Sequence, residues 1–264
     1  MGKKNLFLKN VLFTFIAFAI YKLIGTLAIS HVKNAVVNVF LSEVTILTCA
    51  LCLALATQKL NTLKLSTKGV GTGIVVGIYM ALTDLFVLAV WIYRYVIGEQ
   101  AVTISLWEKI LFVLAMIMVG VAEEVMFRGV LLNCCLDFFG ENSVSSIRIA
   151  IVASSCIFGL FHIFNILVGA SLSGSIIQAI NAIVIGMILG TVYVRSDKNI
   201  WSCIILHGFH DFCAFIQSGV LMGSGAKEAV SNYNSSMLFS ISTMLLISIF
   251  LMRKKKLSLC VKEK

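Results

Sequence analysis

The sequence predicts an all-α, polytopic transmembrane helical bundle of about eight spans, and three observations predict it. Of its 264 residues, 59% are hydrophobic and only 12% charged, whereas soluble domains carry roughly 45–50% and 25%. A mean hydropathy of +1.01 is concentrated in runs of about 20 residues, the length a helix needs to cross a bilayer core. Only short polar gaps separate the runs, so 1–264 reads as a single transmembrane domain whose chemistry must be built inside the bundle.

In order, the runs predict helices near 6–30, 35–57, 70–97, 109–136, 146–168, 175–195, 200–222 and 235–252. Lys3, Lys4 and Lys9 precede the first, as in a signal peptide. That run continues through Lys22 to about Ile29 without a small-residue cleavage site, which predicts an uncleaved span. Cys49-x-x-Cys52 in the second has redox spacing but no second pair, and reads as two small core residues. Gly69, Gly71, Gly73 and Gly77 crowd the start of the third, where close helix contact is expected. The absence of Pro predicts spans without obvious kinks. Cys260 in the basic tail lacks the C-a-a-X form, so no prenyl anchor is implied.

The net charge of +9 sits at the chain ends and in the gaps, without a basic stripe interleaved with aromatics. That pattern suits anionic membrane lipids and topology control, and argues against a nucleic-acid partner. An even number of spans puts both termini on one side, and Lys/Arg divide about 15 to 4 in favour of that side. The expectation is a multi-pass cell-membrane protein with both termini cytoplasmic.

Three clusters interrupt the apolar runs. Glu123, Glu124 and Arg128 stand in the fourth span, where three charges cost on the order of 9 kcal/mol if they face lipid. They must therefore turn toward other helices or a wet cavity. Glu124 and Arg128 are spaced i, i+4 and can pair along one face, while Glu123 points about 100° away. As a structural cluster the three would set helix packing; as a functional one, Glu123 faces a cavity. In the fifth span, Phe158 and His162 share a face, so the ring can wall a pocket around the imidazole, with Asn165 near enough to orient it. In the seventh, His207 and Asp211 share a face, and a carboxylate there fixes an imidazole's tautomer. His210 is out of phase with His207, and Gly208 allows another backbone or a substrate to come near. Groups that cost several kcal/mol each in hydrocarbon converge to satisfy one another around water. General-base hydrolysis and metal or proton handling are both open to such a set.

Glu123-Glu124-x-x-x-Arg128, Phe158-x-x-x-His162 and His207-x-x-x-Asp211, in this order on successive spans, resemble the CPBP (Abi) family of intramembrane proteases. That family comprises the CAAX prenyl endopeptidases and the bacteriocin-processing or bacteriocin-immunity proteins. The resemblance covers about 111–217. It implies Glu123 as general base, His162 as the residue that positions the water, His207 with Asp211 at the oxyanion, and Glu124 with Arg128 in support. Eukaryotic CAAX proteases carry Asn where this chain has Asp211. An ionised Asp donates no hydrogen bond, so here Asp211 is expected to orient His207 or to be protonated itself.

The implied activity is an intramembrane endopeptidase, acting near the cytoplasmic leaflet on a hydrophobic or lipid-modified peptide or protein. No cofactor is favoured; zinc, if present, would take Glu123, His162 and His207. Two alternatives compete: a non-proteolytic bacteriocin-immunity membrane protein, and a proton-coupled transporter, which the lack of an inverted repeat disfavours.

Overall fold

The computed structural model describes residues 2–262 and contains helices and no strand among them. The main helices are α1 (Lys3–Leu27), α2 (Ala35–Ala56), α3 (Val70–Val76), α4 (Ile78–Val96), α5 (Leu106–Glu124) and α6 (Asn133–Phe139). After them come α7 (Val144–Ile163), α8 (Leu172–Arg195), α9 (Ile200–Gln217), α10 (Ala226–Ser231), α11 (Leu238–Leu251) and α12 (Lys254–Leu257). Ser105, Ser143, Ser171 and Asn199 cap the starts of α5, α7, α8 and α9, each accepting from a backbone N–H of the first turn.

Among the described residues six segments are long and apolar enough to cross a membrane: Lys3–His31, Ala35–Ala56, Ile78–Val96, Leu106–Phe139, Val144–Val168 and Leu172–Arg195. A seventh is added if Ser235–Leu251 and Lys254–Cys260, bent by 53°, count as one span. The predicted seventh span is not among these. With 18 residues, α9 is long enough, but His207, His210 and Asp211 dilute its apolar character. Parity alone therefore no longer decides the topology.

Nor are the helices unkinked. The third run breaks at Gly77, between α3 and α4. The fourth passes through eight residues of π-helix, Val125–Leu132, before resuming as α6. A π-turn displaces carbonyls from the α ladder. Here the Asn133 amide donates to the carbonyls of Arg128 at 3.1 Å and Gly129 at 3.0 Å, and to the Tyr193 hydroxyl at 2.8 Å. Close contact, not Pro, shapes the third run: a Cβ on Gly73 would meet Ser202, and one on Gly77 would meet Leu206. The Cys49–Cys52 expectation is corrected. The buried face of α2 is Ile46, Ala50, Leu53 and Ala54, which leaves Cys49 half-buried and Cys52 exposed.

Successive helices run up and down, so the loops gather in two sets. At one end Lys59 meets Asp137, Lys198 and Lys262 meet Glu141, and Asn199 donates to the Ser66 carbonyl. This lysine-rich end holds the loops after α2, α6 and α8 together with the tail. At the far end Asn34 donates to Glu108, Thr103 N–H to the Leu221 carbonyl, and Ser171 N–H to Ser231.

Candidate active site

The two helices that carry Glu123, Glu124, His207 and Asp211 cross at a pair of glycines. A Cβ on Gly120 would stand 2.9 Å from the Ile204 carbonyl oxygen, and one on Gly208 would stand 2.9 Å from that of Met116. Only bare backbones fit, which brings α5 and α9 close and sets Glu123 and Glu124 against His207 and Asp211. Gly208 thus admits another backbone, one of the two uses expected of it.

Glu124 is completely buried and Arg128 nearly so. Arg128 donates to Glu124 Oε1 at 2.7 Å, and the same oxygen faces His207 Nδ1 at 2.6 Å. Glu124 therefore holds the Nδ1–H of His207 and sets the ring's orientation, with Nε2 turned away from Glu124. Sequence reasoning gave that orienting role to Asp211. Instead Nε2 stands 3.5 Å from Asp211 and 3.5 Å from Glu123. Both carboxylates lie on the open side of the ring.

Phe158, fully enclosed, is the hub of the aromatic wall. It meets His162 edge to face at 4.9 Å and His207 at 5.8 Å, and the Arg128 guanidinium lies 5.1 Å from its centroid. His162 Nδ1 is 3.1 Å from the Phe158 carbonyl oxygen. In the neutral ring that nitrogen donates, so Nε2 is left as an acceptor. Asn165 does not orient His162. Its carbonyl accepts from Lys22 Nζ at 2.6 Å and its amide donates to Gln178 Oε1 at 2.7 Å.

A cavity of about 920 Å³ reaches Glu123, His162, His207 and Asp211. Its other wall residues include Lys33 and Asn38 near the α1–α2 turn and Ser224 and Asn234 between α9 and α11, all from the far end. No residue of the lysine-rich loops lines it.

Three groups escaped the sequence reading. Glu43 of α2 lines the cavity, is buried, and has an Oε2 without a hydrogen-bond partner. Asp84 of α4 pairs with His210 at 2.8 Å, which ties α9 to α4 and accounts for the second histidine. Lys22 turns inward to Asn165. Each is an isolated ionisable residue in an apolar run, the signal that identified the three clusters. Among the described residues, no three His, Cys, Asp or Glu side chains converge at metal-holding spacing. Glu123, His162 and His207, the set that zinc would take, do not close into a cage.

A family model described as type II CAAX prenyl endopeptidase Rce1-like matches residues 105–213. The match agrees with the resemblance carried by the motifs. It spans α5 to α9 and includes Glu123, Glu124, Arg128, Phe158, His162, His207 and Asp211. No curated protein matches the chain. The family that this model describes is one of prenyl-protein endopeptidases, and the chain is similar to it over this segment.

Proposed function

We propose that the chain is an intramembrane endopeptidase that hydrolyses a peptide bond in a hydrophobic or lipid-modified peptide or protein by activated water, without a cofactor. The observation that carries this reading is the contrast at two adjacent residues: Glu124 is clamped by Arg128 and His207, whereas Glu123 faces the cavity with its nearest partner 3.5 Å away. A base must keep a free lone pair beside its water.

In the proposed sequence Glu123 takes a proton from water while His162 Nε2 accepts the water's other hydrogen and holds it in line. The resulting hydroxide attacks the scissile carbonyl. His207, in its protonated form with Nδ1 held by Glu124, offers Nε2–H to the oxyanion. Collapse of the tetrahedral intermediate returns the proton from Glu123 to the departing amine. Asp211 stands on the same side of Nε2 as Glu123 and balances the imidazolium charge. No side-chain nucleophile enters this scheme.

The cavity mouth bears on the route of the substrate. Both termini and the lysine-rich loops are placed in the cytoplasm by the positive-inside rule. With that orientation the mouth opens on the opposite side of the cell membrane, a different route from the cytoplasmic-leaflet access that the sequence alone suggests. Peptides reach the site from the far face or sideways from lipid.

Cleavage of an apolar peptide library by purified protein in lipid vesicles tests the reading. Wild type is expected to release fragments, and Glu123→Ala, His162→Ala and His207→Ala to lose that activity. Full activity in any one variant overturns the role given to that residue.

A further inference from the structure

Lys22 is an ammonium with no counter-ion among the described residues. It is 8% exposed, on the cavity side of α1. Among the described residues no carboxylate stands within the 4.0 Å of an ion pair, and its hydrogen bond goes to a neutral amide, Asn165 Oδ1 at 2.6 Å. Glu43 and Glu123 share the cavity at longer range. The rings of Tyr21 and Phe18, 5.0 and 5.3 Å from Nζ, help to hold the charge in place without neutralising it. A buried charge in this condition is expensive unless something pairs with it.

The hydrogen-bond polarity of its neighbours runs one way. An ammonium only donates, so Asn165 must present its carbonyl to Lys22 and its NH₂ to Gln178, whose carbonyl accepts at 2.7 Å. All three side chains line the cavity. Each carbonyl of this relay already accepts one hydrogen bond, and the donors without a partner among the described residues are two N–H of Lys22, one of Asn165 and the NH₂ of Gln178. Asn165 follows His162 by three residues, one helical turn or about 5 Å along the axis. An anion held there lies within a few residues of the bond being cut, since an extended chain advances about 3.3 Å per residue.

From this juxtaposition of an unpaired buried ammonium with a one-way amide chain, we infer that Lys22, Asn165 and Gln178 form a carboxylate-binding subsite for the substrate peptide, a specificity device supplied in part by α1, outside the matched family segment. The inference rests on the protease reading above. The carboxylate has two possible sources, the peptide's C-terminus or an Asp or Glu side chain near the scissile bond.

The test uses a library of apolar peptides prepared in matched pairs, C-terminal acid against amide and internal Glu against Gln, with full-length protein in phosphatidylcholine vesicles. Wild type is expected to favour the carboxylate member of one pair type by at least roughly tenfold in kcat/KM, the worth of one charge-assisted hydrogen bond. The pair type that responds names the source. Lys22→Met is expected to bring the ratio to about one by raising KM for the carboxylate member while leaving the neutral member's kcat unchanged; Lys22→Arg should keep the preference. Retention of the same pairs on Glu123→Gln protein is read in parallel. Should nothing be cleaved, the protease reading falls, and unequal retention lost in Lys22→Met still supports the subsite. Equal handling of both members by wild type overturns it. So does a loss in Lys22→Met that is the same for both members and varies with the phosphatidylglycerol content of the vesicles, which would assign the site to a lipid phosphate.

Discussion

Glu123 and Glu124 are neighbours in sequence and belong to opposite regions of the molecule. Glu124 sits in a closed layer: one carboxylate oxygen serves both Arg128 and His207, and the side chain has no exposed surface. Glu123 sits in an open layer with Asp211, His162 and Glu43, all of which line the cavity, and both Glu123 and Asp211 stand 3.5 Å from His207 Nε2. One helical step of about 100° sorts two identical side chains into different roles. The closed layer fixes geometry and the open layer is left free to react, so substitutions in the two should fail differently.

The largest expected effect is on stability, in the closed layer. Glu124→Gln strands the Arg128 charge in a buried site and should cost about 3–5 kcal/mol, read as a lower unfolding midpoint in detergent. Adding Arg128→Met should recover part of that loss, because the stranded charge is then gone. A Glu124→Gln protein as stable as wild type would erase the distinction between the layers. In the open layer, His162→Ala should slow kcat by roughly 100-fold, the low end of acid–base contributions, with the unfolding midpoint unchanged. A comparable loss of stability would move His162 into the closed layer.

Smaller effects test what holds the layers together. Gly208→Ala pushes a methyl group against the Met116 carbonyl and should cost about 1–3 kcal/mol as overpacking, with a lower kcat because α5 and α9 are forced apart. Full activity would mean that the crossing does not position the site. The smallest effect lies outside the membrane. Burial pushes the Glu141 carboxyl up, but hydrogen bonds from Lys262 and Lys198 outweigh it and leave the group below its ordinary value. Its stabilising contribution is therefore present above the unfolded carboxylate range, near 4.3, and is lost as pH falls through the lower folded value. Glu141→Gln should destabilise by at most about 1 kcal/mol at pH 7 and by nothing at acid pH. A difference that persists at acid pH would show that packing, not charge, is responsible.

The closed and open layers were legible in the sequence to different degrees. Ionisable residues in apolar runs are conspicuous, so Glu123, His162, His207 and Asp211 stand out by type and spacing, and the Glu124–Arg128 pair follows from i, i+4 geometry. Which carboxylate holds His207 was not legible. Asp211 shares its helix and Glu124 does not, and only the Gly120–Gly208 crossing favours the second. The π-helical stretch leaves no residue signature either, because Asn133, which satisfies its carbonyls, reads as a polar residue near a span end. Lys22, Glu43 and Asp84 carried the same signal as the clusters but stood singly, without a partner on their own helix to announce a site.

The central claim is that Glu123 is the base and does not support the fold. Its most direct test measures Glu123→Gln against wild type in one preparation, by single-turnover peptide cleavage and by the unfolding midpoint. The account predicts a rate lower by about 10² to 10⁴ with the midpoint unchanged. Cleavage within twofold of wild type by a folded Glu123→Gln protein would contradict it.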